Sequence, residues 1–222
     1  MSNKKTAATD RSTRLAQVQR EQKSAERRRM LAIYGTTAVV ALVIIGLTAW
    51  GLIRSAGGVD GIQEYEDQAF DHVPGLVEYE LSPPAGGDHN ETWQNCGFYT
   101  EPVANEHAVH SLEHGAVWIT YQPDLSEEDI ETLREDMGSS GYVLVSPFEG
   151  QDSPVVLTAW CVQLEVDSAD DAKVEQFLNK YVQGPQTREA GAACSGGTSD
   201  TGVRAQALLQ AEAGGTGQQP AE

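Results

Sequence analysis

The sequence predicts an α+β fold: a small antiparallel sheet with two helices on one face, preceded by an irregular loop-rich segment and carried on a single N-terminal transmembrane helix. Three observations lead there. Residues 31–53 form a run of twenty-three residues without a charge, long enough at about 1.5 Å per residue to cross a hydrocarbon core of roughly 30 Å. Between residues 116 and 184, β-branched runs alternate with amphipathic stretches in the order β–α–β–β–α. The segment between residues 71 and 115 follows neither period and holds all five histidines.

Charge is divided along the chain. Residues 1–29 carry nine Lys or Arg against three Asp or Glu, a net of +6, and residues 54–222 carry six against thirty, a net of −24, within a total of −18. Arg27, Arg28 and Arg29 abut the apolar run, and Trp50 stands near its far end as an aromatic anchor. The positive-inside bias then predicts a single-pass cell-membrane protein, its N-terminus cytoplasmic and its acidic C-terminal domain extracytoplasmic. A cleaved signal peptide fits less well, because the run exceeds an h-region and no small-x-small site follows it closely. The basic arm reads as the topology determinant. The acidic part would repel phosphates, which argues against a nucleic-acid partner.

The expected divisions are a basic arm over 1–30, the membrane helix over 31–53, a Gly-rich linker over 54–61, the folded domain over 62–197 and a disordered tail over 198–222. That tail is rich in Gly, Gln, Ala and Thr and has little apolar area to bury. Within the domain, residues 62–70 could form a short helix ending at the turn signal Val73-Pro74-Gly75. Pro83, Pro84, Gly86 and Gly87 make the next stretch a loop that delivers His89. Residues 116–121 read as a strand. Ser126 caps a helix with acids in its first turn and a stripe of Ile130, Leu133 and Met137, stopped by Gly138. Residues 142–146 and 155–164 read as two further strands joined by a turn at 148–153. Ser168 caps a second helix with the stripe Val174, Phe177, Leu178 and Tyr181, stopped at Gly184-Pro185. Two such stripes on one face of an antiparallel sheet would both be buried.

Cys96, Cys161 and Cys194 all fall in the part placed outside, where a disulfide is permitted. Sequence alone leaves three pairings. Cys161 follows Trp160 in an apolar run, where a free cysteine behaves as a small hydrophobe. Cys96 and Cys194 sit in Gly-containing loops, so the expected bridge is Cys96–Cys194.

Imidazole is the commonest protein metal ligand. His110 and His114 share one side of either a helix or a strand, whereas His107 joins them only on a helix. With His89 and His72 brought in by loops, they could hold zinc or copper, and Asp88, Glu106 and Glu113 could ligate the ion or orient the rings. The leading expectation is an extracytoplasmic metal-binding domain for metal handling. Copper comes first by the Irving–Williams order and zinc next. A metal-free interaction module of the cell envelope is the alternative, with another envelope protein as its partner. A second alternative is a zinc hydrolase, because His110-Ser111-Leu112-Glu113-His114 spells H-x-x-E-H. Gly115 and a β-branched run follow that motif at once, where the hydrolase needs a sustained helix. A Cys96 nucleophile would be consumed by the expected disulfide.

His72-Val73-Pro74-Gly75, Pro83 to His89, Asn95 to Tyr99, Val109 to Gly115, Thr158-Ala159-Trp160, Gly184 to Thr187 and Ala193 to Gly197 together form a pattern of motifs. In these motifs the chain resembles domain-of-unknown-function family 3105. The likeness covers about residues 60–197 and implies a membrane-anchored bacterial protein of actinobacterial type. It also implies that His72, His89, His110, Glu113 and His114 fall on motif positions, which makes these five the expected metal ligands; His107 does not clearly match one and is left out. Cys161 stands where the resemblance implies Gly, and Arg188 departs from a Pro-rich stretch. No activity comes with the family.

Overall fold

A computed structural model describes residues 30, 34–36, 39–48, 58–66, 68–136 and 141–215. The chain divides into two units, Met1–Gly57 and Gly58–Glu222. In the second, the elements are β1 (Gln63–Glu64), β2 (Gly97–Phe98), α1 (Asn105–Glu113), β3 (Val117–Tyr121), α2 (Glu127–Asp136), β4 (Val143–Pro147), β5 (Val155–Ala159), β6 (Val162–Val166), α3 (Ala172–Tyr181) and α4 (Gly202–Gly215).

The strands form one sheet in the order β1-β6-β5-β3-β4-β2. β3 pairs antiparallel with β5, and β5 with β6, whereas β4 runs parallel to both β3 and β2. The sheet is therefore mixed, which corrects the all-antiparallel expectation. The cause is α2: a helical crossover between two neighbouring strands returns the chain to the end where it started, and the strands it joins come out parallel.

Alternation along the strands sorts the two faces. Val117, Ile119, Val143, Val145, Leu157 and Leu164 point to one side, where Leu133 of α2 and Val174, Phe177 and Tyr181 of α3 close a single apolar core. Both helices thus lie on one face. Trp118, Leu144 and Trp160 belong to the other side, where they pack with Ala108, Val109 and Leu112 of α1. Every residue of β3 is buried because both faces are covered.

Local chemistry sets the helix starts. Ser126 Oγ accepts the Asp129 backbone N–H at 3.1 Å, the N-cap expected for α2. At α3 the cap is Asp171, whose side chain accepts from the Lys173 N–H, in place of Ser168. Met137 and Gly138 lie outside the described residues. The run expected as one strand over 155–164 is a hairpin, β5–β6, turned at Trp160-Cys161. Residues 63–64 form a strand on β6 and not a helix. The tail expected to be disordered from residue 198 contains α4, whose Ala205 and Leu209 are buried with Ala104. Residues 216–222 lie outside the described residues.

The membrane-spanning helix expected over residues 31–53 is corrected. Among the described residues no helix is long and apolar enough to cross a membrane. Residues 1–29, 31–33, 37–38 and 49–57 lie outside the described residues, so the basic arm and part of the expected span do too. The single-pass topology, the extracytoplasmic placement and the partnership with the cytoplasmic membrane rested on that helix and are withdrawn with it.

Candidate metal centre

α1 carries the site. Its residues from Glu106 to Glu113 are all buried, since the sheet covers one side and irregular chain covers the other. The helix stops at His114 because Gly115 adopts φ +90°. The Gly115 N–H then donates to Leu112 O at 2.9 Å and the Ala116 N–H to Ser111 O at 3.0 Å, which is a Schellman closure. A Cβ at Gly115 would lie 2.5 Å from Gln183 Nε2 and 2.7 Å from Thr187 Oγ1. Glycine therefore serves both the turn and the close approach of the 183–187 segment.

Two loops bring the remaining histidines. His72 and His89 face each other across an isolated parallel bridge. The Val73 N–H donates to His89 O at 2.8 Å, and the His89 N–H to Asp71 O at 3.1 Å. The three rings of His72, His89 and His110 consequently form a near-equilateral triangle, with centroid separations of 4.9 Å (72–89), 4.7 Å (72–110) and 4.9 Å (89–110).

Ring orientation is fixed by backbone carbonyls. His89 Nδ1 donates to Gly87 O at 2.8 Å, His110 Nδ1 to Asn90 O at 2.7 Å and His114 Nδ1 to Ala193 O at 2.7 Å. A carbonyl only accepts, so each Nδ1 carries a proton and Nε2 is the ring nitrogen left to face the cluster. This is how metal-binding imidazoles are commonly held.

Glu113 completes the group. Its Oε2 lies 3.0 Å from His89 Nε2 and 3.7 Å from His72 Nε2, while Oε1 lies 3.4 Å from Arg188 Nε. Ligands about 2.0–2.1 Å from a tetrahedral ion stand roughly 3.3 Å apart, so these separations suit a shared cation. One ligand atom each from His72, His89, His110 and Glu113 lies within 4.8 Å of the others. His110, His114 and Glu189 form a second group under the same limit. The residues are capable of coordinating a metal ion.

Burial pushes the His110 pKa down to about 3; the Asn90 carbonyl opposes this, and His114, His89 and His72 add to it. The ring is thus neutral near pH 7, the form that ligates a metal. His107 belongs to neither group. It too is lowered by burial, against Glu212 and Asp200, and its buried Nδ1 has no hydrogen-bond partner among the described residues.

The H-x-x-E-H pattern is divided between the two groups: Glu113 joins His110 in the first, and His114 joins it in the second. Glu106 accepts the Val77 N–H and Asp88 accepts the Asp71 N–H, so both acids serve the loops. Sequence reasoning did not anticipate Glu189, the pairing of Arg188 with Glu113, or Trp93, whose ring centroid lies 5.0 Å from that of His114. The signal for Glu189 was the Cys96–Cys194 bridge, which carries the late segment back to α1. That bridge is formed, with Cα atoms 5.3 Å apart, and Cys161 is a free thiol.

The family model described as "Protein of unknown function (DUF3105)" matches residues 72–196. The chain belongs to the DUF3105 family. Every ligand candidate in both groups, and both bridged cysteines, lies inside that DUF3105 match. The family's description carries no activity. The membrane anchor that the resemblance implied lies outside the matched residues, and no described helix supports it. No curated protein and no solved structure matches the chain.

Proposed function

We propose that this protein binds one transition-metal ion, zinc or copper, through Nε2 of His89 and His110, a ring nitrogen of His72 and a carboxylate oxygen of Glu113. One observation carries the reading: three imidazoles meet at 4.7–4.9 Å around a carboxylate, two of them pre-oriented by backbone carbonyl acceptors. An N3O set suits tetrahedral zinc, and nitrogen-rich sites bind copper(II) most tightly of the divalent first-row ions. The side chain of His72 is 43% exposed while that of His89 is fully buried, so the ion has access from the His72 side. His114 belongs with this set as a neighbour of His110.

Titration of the full chain with Zn²⁺ and with Cu²⁺, followed by elemental analysis after desalting, tests the reading. One retained ion per chain, lost in His110→Ala, is expected. Wild type that retains neither metal would overturn it.

A second reading, a metal-free interaction module, is favoured by the state of Glu113. Its carboxylate already has Arg188 and His89 as partners, so the cluster is internally paired and pins the loops to α1 with no ion. In that case added metal leaves the melting temperature unmoved, whereas a ligand of the folded state raises it.

A further inference from the structure

We propose that the ion has two mutually exclusive positions that share the Nε2 of His110: an inner one with His72, His89 and Glu113, and an outer one with His114 and Glu189. The proposal rests on the metal reading above and adds Glu189 and exclusivity to it. Both groups of ligand atoms meet within 4.8 Å, and His110 is the member common to both. Its Nδ1 is committed to Asn90 O at 2.7 Å, which leaves one ring nitrogen, and a neutral imidazole nitrogen has one lone pair to give. The His110 and His114 ring centroids are 4.5 Å apart, closer than any pair in the inner triangle.

The outer group has its own built geometry. His114 is buried with Nδ1 held by Ala193 O, so its Nε2 faces Glu189 Oε2 at 3.4 Å, and the Glu189 side chain is 50% exposed. The Glu189 backbone N–H donates to Glu113 O at 3.0 Å, which fixes the second carboxylate to the residue that supplies the first. The inner position opens at His72 and the outer at Glu189. An ion can therefore move between two partly solvated ends by exchanging ligands around a buried, stationary His110.

Zn²⁺ binding by the full chain, read by calorimetry and elemental analysis, decides the matter. Wild type takes one ion. His72→Ala/His89→Ala still takes one, at least tenfold more weakly, through the outer position. Adding Glu189→Gln to that variant removes the residual binding, and His110→Ala removes both positions. Should the double variant fail to fold, judged by circular dichroism, His72→Ala alone replaces it, since that side chain is half exposed. Two ions bound together in wild type, no binding by the inner-site variant, or residual binding indifferent to Glu189→Gln would each overturn the proposal while leaving the inner metal site standing. Wild type binding no Zn²⁺ or Cu²⁺ would instead remove the underlying metal reading.

Discussion

The two faces of one sheet do different work with the same five-residue strands. On the side of α2 and α3, Val117, Ile119, Val145, Leu157 and Leu164 meet Leu133 and Phe177 with no polar side chain among them. On the side of α1, the intervening positions include Thr120, Ser146, Thr158 and Gln163, all buried. Each has a partner: Trp118 Nε1 donates to Ser146 Oγ at 3.0 Å, Thr120 Oγ1 to Val156 O at 3.4 Å, and Gln163 Nε2 to Pro83 O at 2.8 Å and Thr158 Oγ1 at 3.1 Å. An apolar face is held by area, which is non-directional. A buried polar face is held by particular acceptors, and a donor without one costs its desolvation. The second face can therefore aim side chains at a point, which is what a metal centre needs.

The largest expected effect breaks the apolar face alone. Phe177 is fully buried against the sheet, and Phe177→Ala should lower unfolding free energy by about 3–5 kcal/mol through lost burial and cavity formation. Urea denaturation measures the loss. Metal stoichiometry of the molecules that remain folded should not change, because the sheet separates Phe177 from the histidines. A variant that folds but binds no ion would show that the two faces are coupled.

Acid should break the polar face selectively. His110 is held neutral in the fold, its pKa lowered to about 3 chiefly by burial, whereas in the unfolded chain it titrates near 6.5. Between those values the unfolded state binds the extra proton, so stability falls as pH drops through 6.5 and is unaffected above it. By pH 5 this amounts to about 2 kcal/mol for metal-free protein. Comparing denaturation across pH 5–8 for wild type and His110→Gln isolates the contribution. Parallel curves for the two proteins would remove it.

Gly115→Ala sharpens the comparison at the point where α1 hands the chain to β3. The left-handed φ and the contact with Gln183 and Thr187 predict a loss of about 1–2 kcal/mol. A change within about 0.5 kcal/mol, usual for exposed substitutions, would mean that the helix end tolerates a side chain.

The same difference explains what could be read in the sequence. The stripes Ile130-Leu133 and Val174-Phe177-Tyr181 and the strands around Ile119 and Val145 follow periods of 3.6 and 2, so the apolar face and its two helices were legible. Strand direction was not, because a parallel pair depends on where α2 crosses, and periodicity carries no direction. The five histidines marked the centre, but their grouping depends on carbonyls of Gly87, Asn90 and Ala193, which any residue type would supply. Glu189 lies seventy-five positions after His114 and reaches it through the disulfide and the backbone bond to Glu113. α4 was missed because its composition is tail-like and only Ala205 and Leu209 are buried. The expected membrane helix came from a charge-free run, the arginines flanking it and Trp50, and no described helix meets that length.

Cys161 supplies the smallest test, at the turn of the β5–β6 hairpin. It adopts φ +59° between Ala159 and Val162, which pair across the hairpin. That conformation favours glycine, the residue which the family resemblance implies there, and a non-glycine residue in it costs of order 1 kcal/mol. Against this, the thiol packs partly against the cluster of Trp118 and Trp160, and glycine adds freedom to the unfolded chain. The two nearly cancel, so Cys161→Gly should shift stability by less than about 1 kcal/mol, on the stabilising side if backbone strain dominates. A loss clearly above that, measured by thermal melts of the two proteins, would mean that this thiol contributes packing which the hairpin's backbone geometry does not require.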